Sequence, residues 1–228
     1  MAIERRRDYG KKAPSRDAHK VYIICEGSVT EPRYFAFFEG LSSNLQVITI
    51  PSKDGETDPL KLRDYAKQKF LKNGKPNKLE YQNGDTVWFV IDTDSWEHEG
   101  KIDPLRDFCT SQNASIAKRL SYSAWNVAQS NPCFEIWLYY HIMENPPKDF
   151  DVDKETFKAY VDRVLPGGFK SERHPQYLED AIRNAQNNFY RDSNGKLSLF
   201  STEMYVLGTE ILHFVKRDLD KLKNKMLG

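Results

Sequence analysis

Four apolar runs of strand length alternate with helical patterns along the first 143 residues, and this alternation constrains the fold most strongly. The strands are predicted at Lys20–Cys25, Leu45–Ile50, Thr86–Ile91 and Tyr122–Val127. An acidic or amide residue followed by proline precedes each helical pattern, at Glu31-Pro32, Asp58-Pro59, Asp103-Pro104 and Asn131-Pro132. Such side chains are expected to cap the free N–H groups of a helix, and proline suits the first turn because no N–H is needed there.

Strand-then-helix units in succession predict a mostly parallel sheet with helices on its faces, which is an α/β fold. From Glu144 onward the pattern changes to helices without strands, predicted at Lys154–Leu165, Gln176–Phe189 and Thr209–Lys225. We therefore expect three parts: a basic flexible arm (1–19), an α/β core with about four strands (20–145), and a helical region packed on that core (146–228).

Composition adds a limit on size and partners. Of the 228 residues, 39% are hydrophobic, which is enough for a core and excludes wholesale disorder. The net charge of +1 hides a segregation: residues 1–20 sum to +4 (7 − 3) and residues 216–228 to +3 (5 − 2), so the body between them carries −6. The N-terminus is polar, and the longest apolar runs have five residues, far short of a membrane span. We expect a cytoplasmic protein that does not enter a membrane.

Carboxylates follow two of the predicted strands. Glu26 comes directly after the first strand, and Asp92 and Asp94 come after the third. Ligands of parallel α/β sheets bind at the carboxyl ends of the strands, so these side chains are expected to converge at one edge. Like charges that meet there need a counter-charge, and a hard divalent cation, Mg²⁺ or Mn²⁺, supplies one. The competing interpretation is that the two aspartates only form a turn.

Three further residues are second-tier candidates for the same site. Glu31 lies before Pro32, where a helix cap explains it as well as a functional role does. Glu135 lies one turn inside the fourth predicted helix among apolar neighbours, where a carboxylate is costly unless it is bonded or metal-bound. Asn131 follows the fourth predicted strand.

Cationic and aromatic side chains near this edge are candidate contacts for nucleic acid. Arg33 opens the first helix, Lys53 follows the second strand, and the N-terminus carries Arg5, Arg6 and Arg7. Each could bind phosphate, although all five also suit ordinary solvated surface positions. Trp96 follows the acidic residues and is the best candidate for stacking on a base. The sequence identifies no general base, since His98 is a lone loop histidine.

Three strings of sequence resemble the RloB-like family, which is associated with bacterial restriction and phage-defence loci. They are VYIICEGSVTEPRYF (21–35), VWFVIDTDSW (87–96) and SNPCFEIWLYYH (130–141). The resemblance covers about residues 5–145 and is faint beyond them, where only GTEILHFV (208–215) is similar. It implies a TOPRIM-like domain, in which a glutamate after the first strand and a D-x-D after the third bind Mg²⁺ for phosphoryl chemistry. Glu26, Asp92 and Asp94 match those positions. Ser95 stands where many TOPRIM nucleases have a third acid, which leaves the number of metals open.

The resemblance implies a Mg²⁺-dependent nuclease or phosphoryl-transfer effector that acts on DNA or RNA in phage defence. Two alternatives remain at this stage. One is a non-catalytic nucleic-acid-binding or regulatory module that works with a partner protein from the same locus. The other is a primase-like nucleotidyl transferase, which is disfavoured because no zinc-binding or accessory primase segment is present.

Overall fold

The computed structural model describes residues 11–52, 57–72, 75–76, 78–117, 120–165 and 167–227. In chain order the main elements are β1 (His19–Cys25), α1 (Thr30–Phe35), β2 (Leu45–Ile50), α2 (Pro59–Phe70), β3 (Leu71–Lys72), β4 (Lys75–Pro76), β5 (Thr86–Asp92), α3 (Ile102–Ile116), β6 (Trp125–Ser130), α4 (Glu135–Tyr140), α5 (Phe157–Val164), α6 (Leu178–Asn187) and α7 (Met204–Leu227). Two short 3₁₀ helices lie at Tyr81–Asn83 and His174–Tyr177.

The central sheet has four parallel strands in the order β2-β1-β5-β6, which confirms the α/β prediction. Strands β3 and β4 form a separate antiparallel pair. Successive side chains of β1 enter two different cores, because side chains alternate across a strand. Val21 and Ile23 pack with residues of α1, α4, α6 and α7 on one face, while Tyr22 and Ile24 pack with residues of α2 and α3 on the other.

The fourth strand lies three residues later than predicted, at Trp125–Ser130 rather than Tyr122–Val127. It pairs with β5 as far as Asp92 opposite Ser130, so Gln129 and Ser130 belong to the strand instead of following it. A prediction based on apolar residues missed this part of the strand, because these side chains are small or polar. The first three strands start or end within one residue of the predictions.

The predicted capping device operates at one helix of four. Asp58 accepts a hydrogen bond from the backbone N–H of Leu60 at 2.8 Å and caps α2. The helices α1, α3 and α4 begin without a capping side chain, and α3 starts at Ile102, before Asp103. The acidic or amide residues before the other three prolines are therefore free for other contacts.

The last helix packs along the sheet, as its apolar stripe predicts. Val215, Leu219 and Leu222 are buried in the same core as Val21 and Val47 of the sheet. Within the described ranges no helix combines the length and the apolar character that crossing a bilayer requires.

The N-terminal segment is attached to this body over part of its length. The backbone N–H of Lys12 donates to the carbonyl of Gly40, and that of Ser15 donates to Ser43. The structure thus ties residues 11–18 to the body, and the flexible arm stays a prediction for residues 1–10, which lie outside the described residues.

Candidate active site at the carboxyl edge of the sheet

The strand order brings the ends of β1 and β5 together. From β1 the chain moves to β2 on one side, and it later returns to β5 and β6 on the other, so the topology reverses between β1 and β5. Crevices at such a reversal are the usual ligand sites of parallel sheets. Glu26 extends β1 by one residue, with its N–H bonded to the carbonyl of Val90 at 3.0 Å, and Asp92 ends β5. The two predicted carboxylates therefore flank the reversal.

Glu26 is buried, with 7% of its surface exposed, and both of its oxygens accept hydrogen bonds. Oε2 accepts from the backbone N–H of Asp92 at 2.9 Å, and Oε1 accepts from Nε1 of Trp96 at 2.8 Å. Burial first, and the charges of Asp94 and Glu31 second, raise the pKa of Glu26 to about 7, against the opposing effect of these two donors. Trp96 thus orients a carboxylate, with Nζ of Lys101 at 4.6 Å from its ring centroid.

Asp92 is bonded to the residue directly before α4. Its Oδ1 accepts from the backbone N–H of Phe134 at 2.8 Å. Burial raises the pKa of Asp92 well above its ordinary value, and the charges of Glu26, Glu31, Glu135 and Asp94 add to that shift. The carboxylates at this edge therefore act on one another electrostatically.

Glu31 lies in the same group and does not act as a side-chain cap for α1. Its Oε1 accepts from the backbone N–H of Gly27 at 2.9 Å, and only 5% of the residue is exposed. A Cβ atom at position 27 would overlap the Glu31 carboxylate, so glycine is required there for the two to meet. Burial raises the pKa of Glu31, and the charge of Glu135 raises it further.

Glu135 and Asp94 complete the acidic edge, which we define as Glu26, Glu31, Asp92, Asp94 and Glu135. Glu135 has a cation nearby, with Nζ of Lys158 at 3.7 Å from its Oε1. Asp94 is exposed and has a φ of 29°, which places it in the left-handed region. Partial desolvation of its carboxylate by neighbouring atoms and the charge of Glu135 raise its pKa.

The acidic edge has little compensating charge. Among the described residues, no basic nitrogen lies within 4.0 Å of a carboxylate oxygen of Glu26, Glu31, Asp92 or Asp94. Within the same ranges no three His, Cys, Asp or Glu side chains are arranged so as to hold a metal ion. The oxygens are nevertheless of the kind that Mg²⁺ and Mn²⁺ prefer, and so the chemistry of the donor set fits a hard divalent cation.

The other predicted site residues have different positions. Asn131 is engaged with a later segment, since its Nδ2 donates to the carbonyl of Leu197 at 2.6 Å. Arg33 is exposed in the last turn of α1. His98 is exposed in the loop after Trp96. Lys53 and the three N-terminal arginines, Arg5, Arg6 and Arg7, lie outside the described residues, so their role in phosphate binding stays a prediction.

Sequence reasoning missed a half-buried carboxylate next to this edge. Glu203, just before α7, accepts from Nη2 of Arg106 at 2.6 Å, from the backbone N–H of Gln129 at 3.1 Å and from Arg191. No motif surrounds it, and its partners are distant in sequence. A cleft of about 360 Å³ in the helical region, lined by residues such as His141, Arg173 and Tyr177, contains none of the acidic-edge residues.

The fold is of the α/β class, with carboxylates at the reversal of a parallel sheet. Residues 21–211 match the sequence model of a family described as RloB-like protein, and the chain therefore belongs to the RloB-like family. The match reaches well past residue 145, so the family resemblance includes α5, α6 and the start of α7 as well. Neither the comparison with curated proteins nor that with solved structures found a match.

Proposed function

We propose that this protein is a Mg²⁺- or Mn²⁺-dependent TOPRIM-type nuclease, or a related phosphoryl-transfer effector, that acts on DNA or RNA in cytoplasmic anti-phage defence. One observation carries the proposal. Glu26 and Asp92 flank the reversal of the parallel sheet, with Asp94 two residues further on, and no described cation compensates these three carboxylates.

A buried carboxylate without a counter-charge is costly, and here several lie together. A divalent cation held by Glu26, Asp92 and Asp94 would offset that cost. When bound, such an ion supplies charge stabilisation to a phosphodiester and lowers the pKa of a water molecule.

The surrounding residues of the chain orient these ligands. Trp96 and the backbone N–H of Asp92 fix the two oxygens of Glu26, and the N–H of Phe134 fixes one oxygen of Asp92. The Oδ2 atom of Asp92 and the exposed carboxylate of Asp94 have fewer hydrogen-bond donors around them than Glu26 has, and we propose that they bind the cation. Arg33, exposed on α1, is the described cation that we propose for contact with substrate phosphate.

A second candidate function is a non-catalytic nucleic-acid-binding or regulatory module that acts with a partner protein of a defence locus. Two observations favour it. The described carboxylates do not form an assembled metal-ligand cluster, and no described histidine or lysine lies against Asp92 as a general base. In this case the acidic edge would be completed by the partner.

Cleavage assays test the first candidate directly. Labelled DNA, tRNA and other RNAs are incubated with the protein in Mg²⁺, Mn²⁺ or EDTA, alone and with proteins encoded at neighbouring positions. We expect Glu26→Gln and Asp92→Asn to lower metal-dependent cleavage by about 100-fold or more, the scale of losing a transition-state interaction. Asp85→Asn is the matched control, because Asp85 is a buried carboxylate at the other end of β5. Equal cleavage by all four proteins, or none under any condition, would refute the nuclease.

Metal binding is tested independently of cleavage by thermal unfolding. At ten times the dissociation constant a ligand stabilises the folded state by about 1.4 kcal/mol. We expect Mn²⁺ to raise the melting temperature of the natural protein and of Asp85→Asn, but not of the Glu26→Gln/Asp92→Asn double variant. Binding of nucleic acid without any metal effect would favour the regulatory module instead.

A further inference from the structure

Glu203 joins β6 to two arginines from different parts of the chain. Its carboxylate accepts from Nη2 of Arg106 at 2.6 Å and from Nη1 at 3.3 Å, and it also accepts from Arg191. Its own N–H donates to the carbonyl of Gln129 at 2.8 Å, and the N–H of Gln129 donates back to Oε2 at 3.1 Å. Glu203 is thus fastened to the carboxyl end of β6 through both its backbone and its side chain.

Arg106 also determines which way the Gln129 side chain points. Nη2 of Arg106 donates to Oε1 of Gln129 at 2.7 Å. A guanidinium only donates hydrogen bonds, so the carbonyl oxygen of the amide must face Arg106 and the amide nitrogen must face the opposite way. Gln129 is 2% exposed and so has few alternative positions.

The amide nitrogen of Gln129 meets the loop that carries the acidic residues. Nε2 donates to Oγ1 of Thr93 at 2.9 Å and to Oε2 of Glu97 at 3.4 Å. Between these two contacts the loop presents Asp94 and Trp96. Trp96 in turn donates to Glu26 at 2.8 Å, so hydrogen bonds together with the backbone of the loop 93–97 link Glu203 to Glu26.

We infer that Glu203 is a positioning residue for the acidic edge, acting through Arg106 and Gln129 on the loop 93–97. Its effect on cleavage rests on the proposed function, whereas its effect on the loop does not. The charge of Glu203 is essential to this role. Without it, two guanidiniums would lie together uncompensated, and Arg106 would no longer be held against Gln129.

Glu210 provides a matched control on α7, the helix that begins directly after Glu203. It lies seven residues beyond Glu203 and is also partly buried and multiply bonded, but to the amino ends of β1 and β5. Its partners are His19 at 2.8 Å, Thr86 at 2.5 Å and Trp88 at 2.9 Å. The variants Glu203→Gln and Glu210→Gln each remove one charge from a comparable setting, at opposite ends of the sheet.

The emission of Trp96 reports the loop without metal or substrate. It is obtained in each background by subtracting the spectrum of the Trp96→Phe form, at a temperature where circular dichroism shows full folding. We expect Glu203→Gln to shift the Trp96 emission to longer wavelength and Glu210→Gln to leave it unchanged. Gln129→Met, which breaks the link but keeps the Glu203–Arg106 pair, should give the same shift and keeps the test decisive if Glu203→Gln does not fold.

Cleavage by the same variants separates this inference from the proposed function. We expect Glu203→Gln to lower kcat about tenfold with little change in KM. Losses of this size are typical of residues that orient the side chains of a site without contacting the substrate. If Trp96 shifts and no form cleaves nucleic acid, the nuclease proposal fails while Glu203 keeps its positioning role. If Trp96 emission in Glu203→Gln and Gln129→Met equals that in Glu210→Gln, the positioning role is refuted, whatever happens to cleavage.

Discussion

The two ends of the parallel sheet hold buried or half-buried carboxylates in opposite surroundings. At the amino end, Asp85 accepts from the N–H groups of Lys20 and Glu80, with the charge of Lys20 nearby, and Glu210 accepts from three side chains. At the carboxyl end, Glu26 and Asp92 are bonded to N–H groups but face other carboxylates. At the amino end the acids connect neighbouring segments through hydrogen bonds. At the carboxyl end the charged form of the acids is disfavoured by burial and by neighbouring carboxylates.

The same contrast appears within the carboxyl end itself. Glu203 has two arginines, Arg106 and Arg191, on one carboxylate, while Glu26 has no described cation within 4.0 Å. The two arginines are thus bound to Glu203 and do not compensate the charge of Glu26. Uncompensated carboxylates of this kind are typical of functional sites. We expect substitutions at the two ends of the sheet to affect stability in opposite ways.

The largest effect is expected at the amino end. Glu210→Ala leaves His19, Thr86 and Trp88 without their acceptor, and we expect the free energy of unfolding to fall by about 3 kcal/mol. Chemical denaturation measures it. Asp94→Asn, at an exposed position of the other end, is expected to change the same quantity by less than about 0.5 kcal/mol. Equal losses in the two variants would contradict the division of roles.

The pH dependence of stability gives a second, smaller effect at the carboxyl end. The pKa of Glu26 is raised from 4.5 to about 7 in the folded state, so the folded protein binds the extra proton. The stabilisation is fully present below about pH 4.5 and is lost as the pH rises through about 7, a loss of about 2 kcal/mol between pH 5 and pH 8.

Denaturation in EDTA at pH 5, 6, 7 and 8 measures this slope. Glu26→Gln should show a smaller dependence of the free energy of unfolding on pH, because the contribution of Glu26 is removed. A residual slope of the same sign should remain from Asp92 and Glu31, whose pKa values are also raised. A slope that is identical in Glu26→Gln and the natural protein would show that Glu26 titrates normally.

The smallest effect is expected for two asparagine substitutions, at Asp92 at the end of β5 and at Asp85 directly before it. We expect them to change the free energy of unfolding in opposite directions. Asp92 accepts through Oδ1 alone, which an asparagine oxygen can replace, so Asp92→Asn should raise the free energy of unfolding at pH 7.5 by about 1 kcal/mol. Both oxygens of Asp85 accept from N–H groups, and an asparagine NH₂ would face one of them. Asp85→Asn should therefore lower the same quantity, and a gain in both variants would remove the contrast.

The sequence was sufficient to predict the sheet and its principal acids, because strand-length apolar runs locate strands and parallel strands share a carboxyl edge. Glu26 and Asp92 lie where that reasoning placed them. The end of β6 was missed because Gln129 and Ser130 do not resemble strand residues, although their pairing with Ile91 and Asp92 fixes them.

Glu203 and Glu210 could not be recognised from the sequence. Each is a single acid near or on a long helix, a setting in which glutamate is usually solvated. What distinguishes them is tertiary: Arg106 is 97 residues from Glu203, and His19 is 191 residues from Glu210. For the same reason the capping interpretation of Glu31 did not anticipate its contact with Gly27, which depends on how the chain turns after β1.

The strand order has a consequence for the sequence of events in folding. Glu26 and the Asp92 N–H to which it is bonded are 66 residues apart, and they meet only when β1 pairs with β5. A nascent chain that ends before β5 contains Glu26 but neither Asp92 nor Asp94, and local structure alone does not bring them together. The repulsion between Glu26 and these two aspartates therefore arises only once the long-range pairing of β1 with β5 is in place.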